Sequence, residues 1–81
     1  MVDKDGFGNW LKKNTTYTDK VVGNVKSRMV RVDKIVEWND SPDYLLRLAK
    51  EDEFIKASVN IRSQLRRAAK LYSDYKGISL L

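Results

Sequence analysis

The nineteen residues from Ser58 to Lys76 contain neither Gly nor Pro, and their apolar side chains recur at Ile61, Leu65, Ala68, Tyr72 and Tyr75. Steps of four and three place these side chains on one face of an α-helix and rule out a half-buried strand, whose period is two. A helix with one apolar side needs partners to cover it, so the rest of the chain has to supply them. Ser58 is expected as the N-cap, its hydroxyl accepting a free N–H of the first turn. Gly77 stands where a helix leaves through a left-handed residue. The other side of the segment carries Arg62, Arg66, Arg67 and Lys70, with Asp74 its one acid.

Three further elements can cover that face. Asp5 is expected to cap a first helix from about Gly6 to Lys13, in which Phe7, Trp10 and Leu11 share a side. Gly6 and Gly8 weaken this helix, so docking has to hold it. A second helix is expected from Thr18 to about Trp38, with Thr18 as N-cap and Asp19 opposing the macrodipole. Val21 or Val22, Val25, Met29, Val32 and Val36 form its buried stripe, extended by Ile35. β-Branched residues are abundant here, but the three-and-four spacing persists where strict alternation would mark a strand. Gly23 in its middle costs about 1 kcal/mol relative to Ala and admits close approach of a neighbouring helix or of a backbone phosphate. Ser41-Pro42-Asp43 reads as a helix start, with Ser as cap and Pro at the first position. That helix is expected to reach about Lys50 and to present Tyr44, Leu45 and Leu48. Glu51-Asp52-Glu53 is a solvated acidic turn, after which Phe54 and Ile55 dock one helical turn on the core. The fold class is therefore all-α: a compact bundle of four main helices plus one short turn. It forms a single domain over residues 1–81, with 1–5 and 77–81 flexible. The apolar Ile78, Leu80 and Leu81 are either packed or belong to a longer chain.

The net charge is +5, and its distribution is uneven. Residues 39 to 57 hold five acids and three bases, whereas 58 to 76 hold five bases and one acid. Cations gathered on one surface are the usual footprint of a polyanion partner. The chain has no His and no Cys, which removes the commonest general base, the thiolate nucleophile and most zinc ligands. Phosphate-binding Gly loops, dinucleotide fingerprints and EF-hand patterns are absent. The expectation is a protein that is not an enzyme and uses no cofactor or metal. The opening residues have no signal-peptide character, and no apolar run approaches the roughly 18 residues of a membrane span. A soluble, cytoplasmic protein without disulfides is expected.

On the last helix, Arg62, Arg66 and Lys70 repeat every four residues, so they stack along one side and can follow a phosphate strand. Asn60, Ser63 and Gln64 add neutral hydrogen-bonding groups beside them, and Arg28 and Arg31 on the second helix offer a parallel ridge. Tyr72 and Tyr75 fall on the apolar stripe and belong to the core. Trp10 and Trp38 are expected to seal its ends, and Tyr17 is the exposed aromatic able to stack on a base or sugar.

The succession of a Phe7-x-x-Trp10-Leu11 helix, a Thr-capped long helix, a middle helix and then Ile61-x-x-x-Leu65-x-x-Ala68-x-x-Leu71-Tyr72-x-x-Tyr75 resembles the SAM-like core-binding domain of phage-integrase-type tyrosine recombinases. The resemblance implies a four-to-five-helix bundle that clamps duplex DNA through its second and last helices. It assigns DNA contacts to Arg28, Arg31, Asn60, Arg62, Ser63 and Arg66. The residues themselves add Arg67 and Lys70. The family's catalytic half has no counterpart here. The resemblance therefore implies a non-catalytic, monomeric domain for DNA recombination, standing alone or joined to a catalytic domain in a longer chain. Its partner would be double-stranded DNA. With about four phosphates contacted, log K would fall against log salt with a slope of roughly −3.6. The alternative is a protein–protein interaction module that binds an acidic partner or self-associates through Ile78, Leu80 and Leu81.

Overall fold

A computed structural model describes residues 2–81. Along these residues the helices are α1 (Lys4–Asn14), α2 (Asp19–Ile35), α3 (Tyr44–Leu48), α4 (Asp52–Ile55) and α5 (Val59–Lys76). There is no strand among the described residues. This is the small all-α bundle expected, with α4 as its single turn. The radius of gyration is 11.9 Å, close to the roughly 12 Å of a compact globule of this length.

The two long helices begin and end on local chemistry. The Thr18 hydroxyl accepts from the Val21 N–H at 3.3 Å, and the Ser58 hydroxyl from the Ile61 N–H at 3.2 Å. Gly77 takes φ 74°, and its N–H and that of Ile78 satisfy the carbonyls of Asp74 and Ser73. These two helices form the largest helix–helix contact, with α1 laid against both. Val22, Val25, Met29 and Val32 of α2 face Leu65, Ala68, Ala69 and Tyr72 of α5 within one buried cluster. Val21 is exposed. Each fully buried aliphatic or aromatic side chain contributes about 1.5–3 kcal/mol relative to an exposed one.

Several boundaries differ from expectation for tertiary reasons. Helix α1 starts at Lys4 and is capped by Asp3, whose carboxylate accepts from the Gly6 N–H at 3.0 Å, so Asp5 is not the cap. Asp3 is chosen because α5 meets it. Its N–H donates to the Tyr72 hydroxyl at 3.0 Å, and its carboxylate accepts from the Tyr75 hydroxyl at 2.7 Å. The Tyr75 and Gly6 hydrogen bonds hold the Asp3 carboxyl below its ordinary value, and the same carboxylate pushes the Tyr75 hydroxyl up. These hydrogen bonds join Asp3 to α5 and to the first turn of α1; Met1 lies outside the described residues. Gly6 lies close beneath the Tyr75 hydroxyl and the Asp3 carboxylate, and the Lys26 stem crosses Gly8, 2.9 Å from where a Cβ would stand. Gly23 has nothing within 4 Å of its Cβ position among the described residues, so of the two close approaches it was expected to admit, that of a neighbouring helix is not made by them.

Helix α2 ends at Ile35, short of Trp38. Val36 turns extended, the Asp33 carboxylate takes the Trp38 N–H at 2.8 Å, and the buried Tyr44 hydroxyl donates to the Val36 carbonyl. Burial, then the charge of Asp33, pushes the Tyr44 ionisation well above that of an ordinary tyrosine. Trp38 turns inward, its ring edge-on to Tyr72 with centroids 5.0 Å apart, and its indole N–H donates to Asp40 at 2.6 Å. Ser41-Pro42-Asp43 forms a turn and not the first turn of α3, because the Ser41 hydroxyl is spent on Asp43. Helix α3 stops at Leu48, not Lys50. On α4, Phe54 is buried but Ile55 is 51% exposed and does not dock. The tail is held as well: Ile78 and Leu80 pack against the core, and the Leu81 N–H donates to the Pro42 carbonyl at 2.9 Å.

Candidate functional site

The side of α5 turned away from the core carries a shallow depression lined by Ser63, Gln64, Arg66, Arg67 and Lys70. Residues 63, 66, 67 and 70 are three or four apart, so the helix period gathers them on one surface about 10 Å long. The two guanidinium groups rest on rings from two different segments. Arg66 lies over the ring of Phe54, its Cζ 5.4 Å from the centroid. Arg67 lies over Tyr17, 5.8 Å from that centroid, and donates to the Tyr17 hydroxyl at 2.5 Å. Each ring contact is worth about 0.5–1 kcal/mol at an exposed site and limits the directions the cation samples.

No carboxylate among the described residues lies within ion-pair distance of Arg62, Arg66, Arg67 or Lys70; the ion pair found joins Lys12 to Asp19 at 3.7 Å. The positive field of this surface is therefore not cancelled by ion pairs among the described residues, though salt screens it over roughly 10 Å at 0.1 M. Lys70 also borders a second depression that contains Asp74 and the tail. The grooves between α1 and α2 are different in kind. They mix Asp5 and Asp19 with Lys4, Lys12 and Lys26, so no single sign dominates.

Of the residues expected to meet a polyanion, Ser63, Arg66, Arg67 and Lys70 are brought together. Arg62 is partly committed elsewhere: its guanidinium donates to the Ile55 carbonyl at 2.9 Å and closes the end of α4. Asn60 is exposed but outside the depression, and so are Arg28 and Arg31 on α2, half-buried and exposed respectively. Tyr17 is half-buried and packed against the core, with its hydroxyl turned to Arg67. Phe54 was not foreseen as a support for Arg66, and no spacing signal between α4 and α5 announces it. Tyr72 is a core residue, as its stripe position indicated, and Tyr75 is half-buried against Phe7 and Trp10.

Among the described residues, no group of three or more carboxylates is arranged to hold a metal ion, and no helix is long and apolar enough to cross a membrane. Compared with protein-family models, curated proteins and solved structures, the chain matches none.

Proposed function

We propose that this protein is a non-catalytic DNA-binding module that docks on the backbone of duplex DNA through the basic side of α5, with Arg28 and Arg31 of α2 contributing outside the main depression. The observation that carries this reading is the grouping of Arg66, Arg67 and Lys70 around one concave surface, with no carboxylate of the described residues paired to them. Two of these cations are arginines, whose planar forks suit phosphate oxygens bidentately. The lining extends about 10 Å along the helix, comparable with the axial rise of about three base pairs of duplex. The resemblance to integrase core-binding domains points the same way. In that setting the module would serve recombination in the cytoplasm, beside a separate catalytic domain.

Because Arg62 is engaged with Ile55, three cations replace the four counted along the sequence. The α5 cations alone then give a slope of log K against log salt of about −2.7, a loss of roughly 40-fold in affinity between about 50 and 200 mM salt, and each of Arg28 and Arg31 that meets a phosphate steepens it by about 0.9. Fluorescence anisotropy with a labelled short duplex measures it. Affinity that ignores salt, or no binding at low salt, refutes the proposal. The self-association alternative has less apolar surface to draw on, since Ile78 and Leu80 are partly buried against the core while Leu81 is exposed. An acidic protein partner would use the same cations, and competition between an acidic peptide and the duplex distinguishes the two.

A further inference from the structure

We propose that Tyr17 and Arg67 together form a cradle for one phosphodiester oxygen, extending the DNA contact from α5 onto the loop between α1 and α2. This inference rests on the duplex-binding reading above. The Tyr17 hydroxyl accepts a hydrogen bond from Arg67 at 2.5 Å, which uses one of the five guanidinium N–H groups. The phenol's own proton remains to be placed, and no acceptor among the described residues takes it. A neutral O–H donor and several cationic N–H donors thus lie side by side next to the depression, open to solvent and able to turn to a ligand's acceptor. A tetrahedral phosphate oxygen, which accepts from several donors at once, is the group that satisfies both.

The cradle is also held in place before any ligand arrives. The Tyr17 N–H donates to the Thr15 hydroxyl at 3.2 Å, and that hydroxyl donates in turn to the Leu11 carbonyl at 2.6 Å. The loop is therefore fastened to the end of α1, and the Tyr17 ring is packed against the core. Arg67 is fixed by the same ring that presents the hydroxyl. Two donors fixed from two different elements define a point, whereas Lys70 on its flexible stem supplies charge without direction. The cradle is a positioning contact: it sets where one phosphate sits and leaves the bases unread.

Salt dependence separates the two partners, because a cation that meets a phosphate releases counterions and a neutral hydroxyl does not. The experiment is anisotropy with a short labelled duplex of arbitrary sequence, repeated across salt concentrations for the wild type, Tyr17→Phe, Arg67→Ala and Arg67→Lys. Tyr17→Phe is expected to weaken binding about tenfold, the worth of one hydrogen bond to a charged acceptor, with an unchanged salt slope. Arg67→Ala is expected to weaken it at least as much and to flatten the slope by about 0.9. Arg67→Lys keeps the slope and loses affinity, because an ammonium cannot share the fork geometry. The thermal midpoint of Tyr17→Phe is expected to stay within about 3 °C of the wild type, since the ring keeps its packing. If the wild type binds with the stated salt slope while Tyr17→Phe binds equally well, the cradle is refuted and the DNA reading stands. If the wild type itself fails to bind, both fall.

Discussion

Replacing each of two helical glycines by alanine is expected to change stability in opposite directions. Gly23 lies in the middle of α2, is exposed, and has nothing within 4 Å of the position a Cβ would take. Gly23→Ala therefore gains helix propensity without a clash, about 0.5–1 kcal/mol. For a domain of this size that raises the thermal midpoint by roughly 3–6 °C. Gly6 lies in the first turn of α1, where a Cβ would overlap the Tyr75 hydroxyl and the Asp3 carboxylate and stand 2.9 Å from Asp3 Cγ. The Tyr75 ring is wedged against Phe7, Trp10 and Tyr72 and has little freedom to yield. The cap and the Tyr75–Asp3 hydrogen bond give way instead. Losing the cap costs about 1 kcal/mol and the hydrogen bond about 1 more, against a propensity gain of at most about 1. The net is a loss of roughly 1–2 kcal/mol, a midpoint lower by about 4–16 °C. Circular-dichroism melts and urea titrations measure both. In a background carrying Asp3→Ala and Tyr75→Phe the obstruction is gone, and Gly6→Ala should turn from harmful to neutral or favourable. A destabilising Gly23→Ala, or a Gly6→Ala penalty that survives in that background, refutes the reasoning.

Tyr44→Phe removes the hydroxyl that closes the end of α2 at Val36 and leaves a buried carbonyl without its donor. A loss of about 1–3 kcal/mol in urea unfolding is expected. In alkaline titration the Tyr44 phenol should stay protonated through the range where an ordinary tyrosine ionises; its stabilising contribution is full below that range and is lost as pH rises through the folded value. Asp3 behaves in the opposite sense. Its folded carboxyl is depressed, first by the Tyr75 hydrogen bond, so its contribution is full above the ordinary carboxylate value and is lost as pH falls through the folded one. Tyr75→Phe should flatten the acid limb of the stability curve below the ordinary carboxylate range, measured by denaturant unfolding at each pH.

What could be read along the chain was whatever chemistry is local. Thr18, Ser58 and Gly77 act within one turn of themselves, and each ends or begins its helix where its own type requires. The stripes of α2 and α5 follow from period alone and place Met29, Val32, Leu65 and Tyr72 inside. Ala69 and Ser73 of α5 are also buried; small residues broaden the contact face beyond the large apolar ones. The errors come from long-range partners. Asp3 and Asp5 are equal candidates to cap α1, and only Tyr72 and Tyr75, some seventy positions away, favour Asp3. The stretch Val36-Glu37-Trp38 past Ile35 looked helical because the spacing does not reveal that Asp33 and Tyr44 will stop it. At the candidate site, the grouping of Ser63, Arg66, Arg67 and Lys70 was legible from helix spacing. That Arg62 would turn to Ile55, and that Phe54 and Tyr17 would support Arg66 and Arg67, depends on how α4 and a loop fold back.

The bond from the Asp3 N–H to the Tyr72 hydroxyl makes one backbone proton a reporter of the whole molecule. An amide just ahead of a helix ordinarily exchanges with deuterium as fast as the end frays. This one is capped by an oxygen seated in the central aromatic cluster, between Phe7 and Trp38. Its exchange rate therefore records how often α1 parts from α5, and slow exchange there would mean that the two come apart only when everything does.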